Sequence, residues 1–143
     1  MGVRLSKQNK DCKLFSLKGK CYRCKIVDVY DGDTVTGVIY LHMKYQKFKI
    51  RMLGYDSPEM KPPLNQENRL EEKRQALIAR NALANKIMNR IVKLECGHWD
   101  KYGRLLGVIY TSGLCGKMNV NQWMLDNSYG YPYDGGKKQS FKS

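Results

Sequence analysis

Apolar and polar residues alternate along the first half of the chain in a way that predicts strands. Cys21–Tyr30 and Thr34–Leu41 both suit extended structure, and Asp31-Gly32 between them is a hairpin turn signal. Further on, Phe48, Ile50 and Met52 alternate with Lys47, Lys49 and Arg51, so a third strand would have one core face and one cationic face. Pro62-Pro63 breaks the pattern and opens a polar loop through Asn68. The period then changes. Ala76, Ala79, Leu83, Ala84, Ile87 and Met88 recur at helical spacing, which predicts an amphipathic helix over 71–89. Ile91–Cys96 and Leu105–Tyr110 read as strands four and five, the second entered through a turn at Asp100–Gly103. Val120, Trp123, Met124 and Tyr129 predict a short final helix.

Five strands with one helix between the third and fourth is the order of an OB-fold barrel, an α+β class that is mostly β. No repeat and no second domain interrupt it. Residues 1–20 are Lys-rich and patternless, read as a flexible basic arm; 21–133 form the barrel domain; 134–143 form a polar basic tail. At 143 residues, 42% hydrophobic and 10% aromatic, the chain has the makings of one folded domain rather than a disordered arm.

Charge narrows the partners. Twenty-six Lys and Arg against 13 Asp and Glu leave a net charge of +13, which favours a polyanion: nucleic acid or an anionic membrane surface. No apolar run approaches the roughly 18 residues needed to span a bilayer. The N-terminus lacks the apolar core of a secretory signal, so the expected compartment is intracellular. Five cysteines, an odd number outside a secretory context, point to reduced thiols.

Three segments carry candidate chemistry: DGDT (31–34), RMLGYDSPE (51–59) and DKYGR (100–104). Asp33 at a hairpin exit and Asp56 after a strand offer two carboxylates if their strands are neighbours, and a carbonyl near Ser57 offers a third oxygen. That donor set suits calcium, a hard cation that takes oxygen ligands. No His or Cys lies in these segments, which argues against zinc there. Phosphodiester hydrolysis needs a positioned water and a partner for charge on the equatorial oxygens. The planar forks of Arg51 and Arg104 suit the second task, and Glu59 could orient or deprotonate the water. Taken singly, each segment is an ordinary turn or a solvated strand residue; their order on this strand pattern makes the set informative.

VDVYDGDTV, FKIRMLGYDSPE, DKYGRLLGVIY and VNQWMLDNSYGYPY, in this order, resemble the signature blocks of the staphylococcal nuclease (thermonuclease) family, over about residues 24–133. The resemblance implies a barrel enzyme that uses calcium to cleave DNA and RNA with little sequence preference, leaving 3′-phosphate and 5′-hydroxyl ends. Its calcium ligands fall on Asp33, Asp56 and the backbone carbonyl of Ser57, with Asp31 as an acid beside them. Its catalytic arginines fall on Arg51 and Arg104, and its catalytic glutamate on Glu59. Lys101 and Tyr102 match residues that grip a terminal phosphate; Tyr131 and Tyr133 match tyrosines that stack on the base and contact the scissile phosphate. Three departures stand out. Only DGGKKQSFKS follows Tyr133, so the family's usual third helix is not expected; the loop before Asp100 is short; and Pro132 stiffens the segment between the two tyrosines.

Other readings remain open at this point. MGVRLS fits the N-myristoylation pattern on Gly2, with Cys12 a candidate palmitoylation site and Lys7, Lys10, Lys13 and Lys18 as a polybasic patch that would face an anionic membrane. Cys21, Cys24, Cys96 and His98 would make a four-ligand zinc site if their strands converge, whereas buried free thiols are the plainer reading. His42 reads as a surface residue at a strand end. Against the nuclease stands a non-catalytic nucleic-acid-binding OB-fold module. Degenerate modules of that kind lose one or more of the arginines, the glutamate or the metal aspartates, and Asp33, Arg51, Asp56, Glu59 and Arg104 are all present here.

Overall fold

The computed structural model describes residues 4–113 and 116–133. After a short 3-10 turn at Leu5–Lys7 come β1 (Cys21–Val29), β2 (Thr34–Leu41), β3 (Lys44–Met52), β4 (Tyr55–Asp56), α1 (Arg69–Ile87), β5 (Ile91–Trp99), β6 (Leu105–Gly113), β7 (Gly116–Asn119), α2 (Val120–Asp126) and β8 (Tyr131–Pro132). The five long strands pair in the order β3-β2-β1-β5-β6, and a parallel pairing of β3 with β6 (Ile50–Met52 against Leu105–Gly107) closes them into a barrel. The OB-fold expectation from strand order is met. β7 extends from β6, and β4 pairs with β8 as a separate two-residue ribbon.

The alternation in the sequence becomes the barrel interior. Val35, Ile39, Val92, Leu94, Leu105 and Ile109 point inward and are buried. In β1 the buried positions run Cys24, Ile26, then Val29, because a bulge between Ile26 and Asp28 shifts the phase by one residue. One face of α1 lies on the barrel through Ala76, Ala79, Leu83 and Ile87. The same stripe carries one acid, Glu72, four residues before Ala76.

The domain starts earlier than the sequence pattern predicts. Leu17 is 1% exposed and belongs to the core, and Phe15 packs its ring near those of Trp99 and His42. The Gly19 N–H donates to the Cys96 carbonyl, and the Cys96 N–H donates to Lys20. β5 also runs on through His98 and Trp99, so the turn at Asp100 follows the strand directly, in line with the short loop expected there. Among the described residues no helix is long and apolar enough to cross a membrane. Gly2 and the tail 134–143, where the third helix was at issue, lie outside the described residues; Cys12 is exposed.

Candidate active site

One end of the barrel gathers the β1–β2 turn, the end of β3, the segment after β4 and the β5–β6 turn around a cavity of about 580 Å³. Its walls include Asp31, Asp33, Arg51, Asp56, Ser57 and Glu59, with Lys101, Tyr102, Arg104 and Tyr133.

The β1–β2 turn is shaped by its own side chains. Asp31 Oδ1 accepts the Asp33 N–H at 3.0 Å, and Thr34 Oγ1 donates to Asp33 Oδ1 at 3.0 Å. Gly32 is required by closeness: a Cβ there would lie 2.7 Å from Ser57 Cβ and 2.9 Å from Ala79 Cβ. The hydroxyl of the wholly buried Tyr55 donates to the Gly32 carbonyl at 2.6 Å, so the turn is tied to β4 from below. Asp33 Oδ2 then accepts the Ser57 N–H at 2.9 Å.

The expected cationic face of β3 holds for Lys47 and Lys49, which are exposed, and ends at Arg51, which is buried. The reason is tertiary. The β4–β8 ribbon folds over the strand end, with Asp56 paired to Tyr131 and the Tyr133 N–H donating to the Gly54 carbonyl at 3.1 Å. Gly130 permits that approach, since a Cβ would lie 2.5 Å from the Tyr55 ring and 2.8 Å from the Asp56 carbonyl oxygen. Beneath it, Arg51 Nη1 donates to the carbonyls of Met52 and Tyr55, both at 2.9 Å. Its Nη2 meets Asp56 Oδ1 in a close ion pair and stands 3.4 Å from Asp33 Oδ2. The Tyr133 ring lies 5.7 Å from the guanidinium carbon.

Protonation follows from this arrangement. Burial pushes the Asp33 carboxyl up, but the Arg51 guanidinium and the hydrogen bonds from Ser57 and Thr34 outweigh it, and the net shift is downward. Asp31 moves the other way, to about 7, through burial first and then the neighbouring Asp33 charge. Two acids two residues apart are thus shifted in opposite directions.

Arg104 is set by Asp100, whose Oδ2 accepts Arg104 Nε at 2.7 Å while Oδ1 accepts the backbone N–H groups of Tyr102 and Arg104. Burial raises the Asp100 carboxyl, yet these bonds hold it below the usual range. Arg104 Nη1 reaches Thr34 Oγ1 at 3.5 Å across the cavity. Lys101 and Arg104 both lie over the Tyr102 ring, at 5.2 and 5.5 Å.

Glu59 lines the cavity with an exposed side chain, and its backbone is held from the helix. Its N–H donates to Glu72 Oε2 at 2.7 Å, and Gln66 Nε2 donates to Glu72 Oε1 at 2.6 Å and to Asn68 Oδ1 at 2.9 Å. Glu72 is 3% exposed. Sequence reasoning missed it, although the helical phase set by Ala76 places position 72 on the buried face. It also missed Tyr55, Tyr30 and Lys49, the last two on the cavity wall. Of the residues it named, Tyr131 sits in the ribbon beside Asp56 and not among the cavity-lining residues.

The zinc reading does not survive. β1 and β5 are neighbours, but Cys21 and His98 are exposed while Cys24 and Cys96 are buried in the core. Among the described residues no three His, Cys, Asp or Glu side chains gather into a metal-holding group. Burial first, and then the neighbouring Cys96, pushes the Cys24 thiol to about 12; Cys96 rises to about 11 through burial and the neighbouring Cys21. Both are inert protonated thiols at neutral pH.

Residues 49–141 match the model of the staphylococcal nuclease homologue family. Two proteins of Oryza sativa subsp. japonica named probable staphylococcal-like nucleases are each 29% identical to the chain over 126 residues, covering 88% of it. An uncharacterized protein of Methanocaldococcus jannaschii is 31% identical over 125 residues, covering 77% of the chain. The chain spans 26% and 27% of the rice proteins and 58% of the archaeal one.

Proposed function

The chain belongs to the staphylococcal nuclease homologue family, and from that premise we propose that it is a calcium-dependent nuclease hydrolysing DNA and RNA with little sequence preference. The observation that carries the proposal is that Asp33, Arg51, Asp56, Glu59 and Arg104, drawn from three separate segments of sequence, line one cavity. Rice relatives named as probable staphylococcal-like nucleases support it.

The residues fit a hard cation. Asp33 and Asp56 direct carboxylate oxygens at one point, now served by Arg51 Nη2, and Ser57 Oγ beside them is buried with no hydrogen-bond partner among the described residues. The groups here that could ligate a metal are oxygens, which suits calcium once Arg51 gives way. Asp33, Asp56 and the Ser57 carbonyl would hold the ion, with Asp31 near; when bound it neutralises charge on a phosphate oxygen.

The chain's own groups would do the rest. Arg51 and Arg104 approach the phosphate from β3 and from the β5–β6 turn and offer N–H donors to its equatorial oxygens as charge builds there. Glu59 orients the attacking water and accepts its proton. The water oxygen bonds to phosphorus and the bond to the 5′ oxygen breaks. That oxygen takes up a proton, leaving 3′-phosphate and 5′-hydroxyl ends. Lys101 and Tyr102 hold a flanking phosphate, and Tyr133 offers a ring to a base. Contacts to the backbone rather than to base edges would make cleavage indifferent to sequence.

The test is incubation of the purified chain with single-stranded DNA and RNA, in calcium and then in chelator, beside Glu59→Gln. Calcium-dependent cleavage that the variant lacks is the expected result. Binding without cleavage in any divalent ion refutes the enzyme and leaves a nucleic-acid-binding module.

A further inference from the structure

Two cavity residues have no part in the machinery above: Tyr30, at the entry to the β1–β2 turn, and Lys49 on β3. We propose that they form a subsite for the nucleotide next to the reacting phosphate, on the side of the cavity away from Lys101 and Tyr102. The proposal rests on the nucleic-acid reading above.

Sheet order sets the sides. β3 has β6 on one flank and β2 on the other, so the β5–β6 turn with Tyr102 and the β1–β2 turn with Tyr30 stand on opposite flanks of Arg51. Tyr30 is fixed through its backbone: its N–H donates to the Thr34 carbonyl at 3.0 Å, and Arg80 Nε donates to the preceding Val29 carbonyl at 3.0 Å. Tyr30 is 56% exposed at the cavity wall. Among the described residues, no other ring and no cation packs on it. The exposed pair Tyr40 and Tyr45 rest on each other at 5.1 Å, and Tyr102 and Tyr133 carry cations. A tyrosine held by its backbone with an open face is a stacking platform, and it accepts any base.

Lys49 lies two residues before Arg51 on the same face of β3, a separation of about 7 Å along the strand. Successive phosphates of an extended single strand are spaced similarly. It pairs across β2 with Thr36, and among the described residues no carboxylate is in ion-pair range of its ammonium. With the reacting phosphate at Arg51, the next phosphate meets Lys49 and the base between them meets Tyr30.

Equilibrium binding of a single-stranded DNA oligonucleotide in chelator, read by fluorescence anisotropy on the full chain, tests this without any cleavage. Tyr30→Leu weakens binding on the order of tenfold, and Tyr30→Trp restores it. Lys49→Ala weakens binding and flattens the log–log salt slope by about 0.7, the share of one phosphate on a single strand. Tyr45→Leu, at an exposed tyrosine on the β2–β3 hairpin whose ring already rests on Tyr40, leaves binding unchanged. An abasic scan supplies the stacking readout: one position costs the wild type affinity and costs Tyr30→Leu nothing. Wild-type affinity in both Tyr30→Leu and Lys49→Ala overturns the subsite, whatever the chain cleaves. The Tyr30 effect with no cleavage by wild type sinks the enzyme reading and leaves the subsite standing.

Discussion

Glu72 gives the sharpest structural prediction, because one buried carboxylate holds the backbone of Glu59. Its two oxygens accept from the Glu59 N–H at 2.7 Å and from Gln66 Nε2 at 2.6 Å, and Glu72 itself is 3% exposed. Glu72→Gln keeps the shape but turns one acceptor into an NH2 donor facing another donor. A hydrogen bond to a charged group contributes about 1.5–3 kcal/mol. Losing one of the two therefore costs about 2 kcal/mol, a sizeable part of a total stability near 5–15 kcal/mol. The loss is local, so amide hydrogen exchange at Glu59 reports it best: about 2 kcal/mol is about thirtyfold faster exchange there. Amides of the barrel strands should change far less. On the proposed mechanism, a loosened Glu59 lowers kcat more than it raises KM. In a Glu59→Gln background the same substitution should cost no further activity, since it acts only through Glu59. Wild-type exchange at the Glu59 amide in Glu72→Gln would refute the reasoning at its base. Additive losses in the double variant would refute the link to activity.

Three further outcomes follow from the packing and the charges. Gly32→Ala forces a methyl to within 3 Å of Ser57 and Ala79 and should lower stability by about 1–3 kcal/mol in urea unfolding; an unchanged midpoint would contradict the close approach. Leu17→Ala should cost about 2–5 kcal/mol, because that side chain is core, whereas Leu14→Ala, at 94% exposure, should stay within about 0.5 kcal/mol; equal effects would remove residue 17 from the domain. The Asp100 carboxyl is held below its unfolded value near 3.9, so the stability it adds is complete above that value and lost as pH falls through the folded one. Thermal melts between about pH 6 and 3 should therefore fall less steeply for Asp100→Asn than for wild type, and parallel curves would refute the assignment.

Much of the architecture was legible because barrel strands and helix faces are written as local periods. Alternation at Val35–Ile39, Ile50–Met52 and Leu105–Ile109, and the four-residue spacing of Ala79, Leu83 and Ile87, each reduce to which side of one element meets the core. The bulge at Ile26–Asp28 was not legible, since a phase shift in one strand is defined only against its partner. Nor was the early start of the domain: nothing in the local pattern separates Leu17, which is core, from Leu14, which is exposed, and the burial of Leu17 goes with the hydrogen bonds that bring Gly19 and Lys20 to Cys96.

By itself the sequence determined the barrel order, the helix between the third and fourth strands, and the acids and arginines that the resemblance maps to a site. Those follow from periodicity and from motifs a few residues long. Only the tertiary structure decided that Arg51 is buried under the β4–β8 ribbon rather than open on a cationic face, because the residues that cover it lie about Tyr131. It alone brought Glu72 to the Glu59 backbone from 13 positions away. It also stood Tyr30 and Lys49 on the cavity wall and kept Tyr131 off it. A chain encodes which residues an element can offer; which of them meet depends on how distant elements close over one another, and no local pattern carries that.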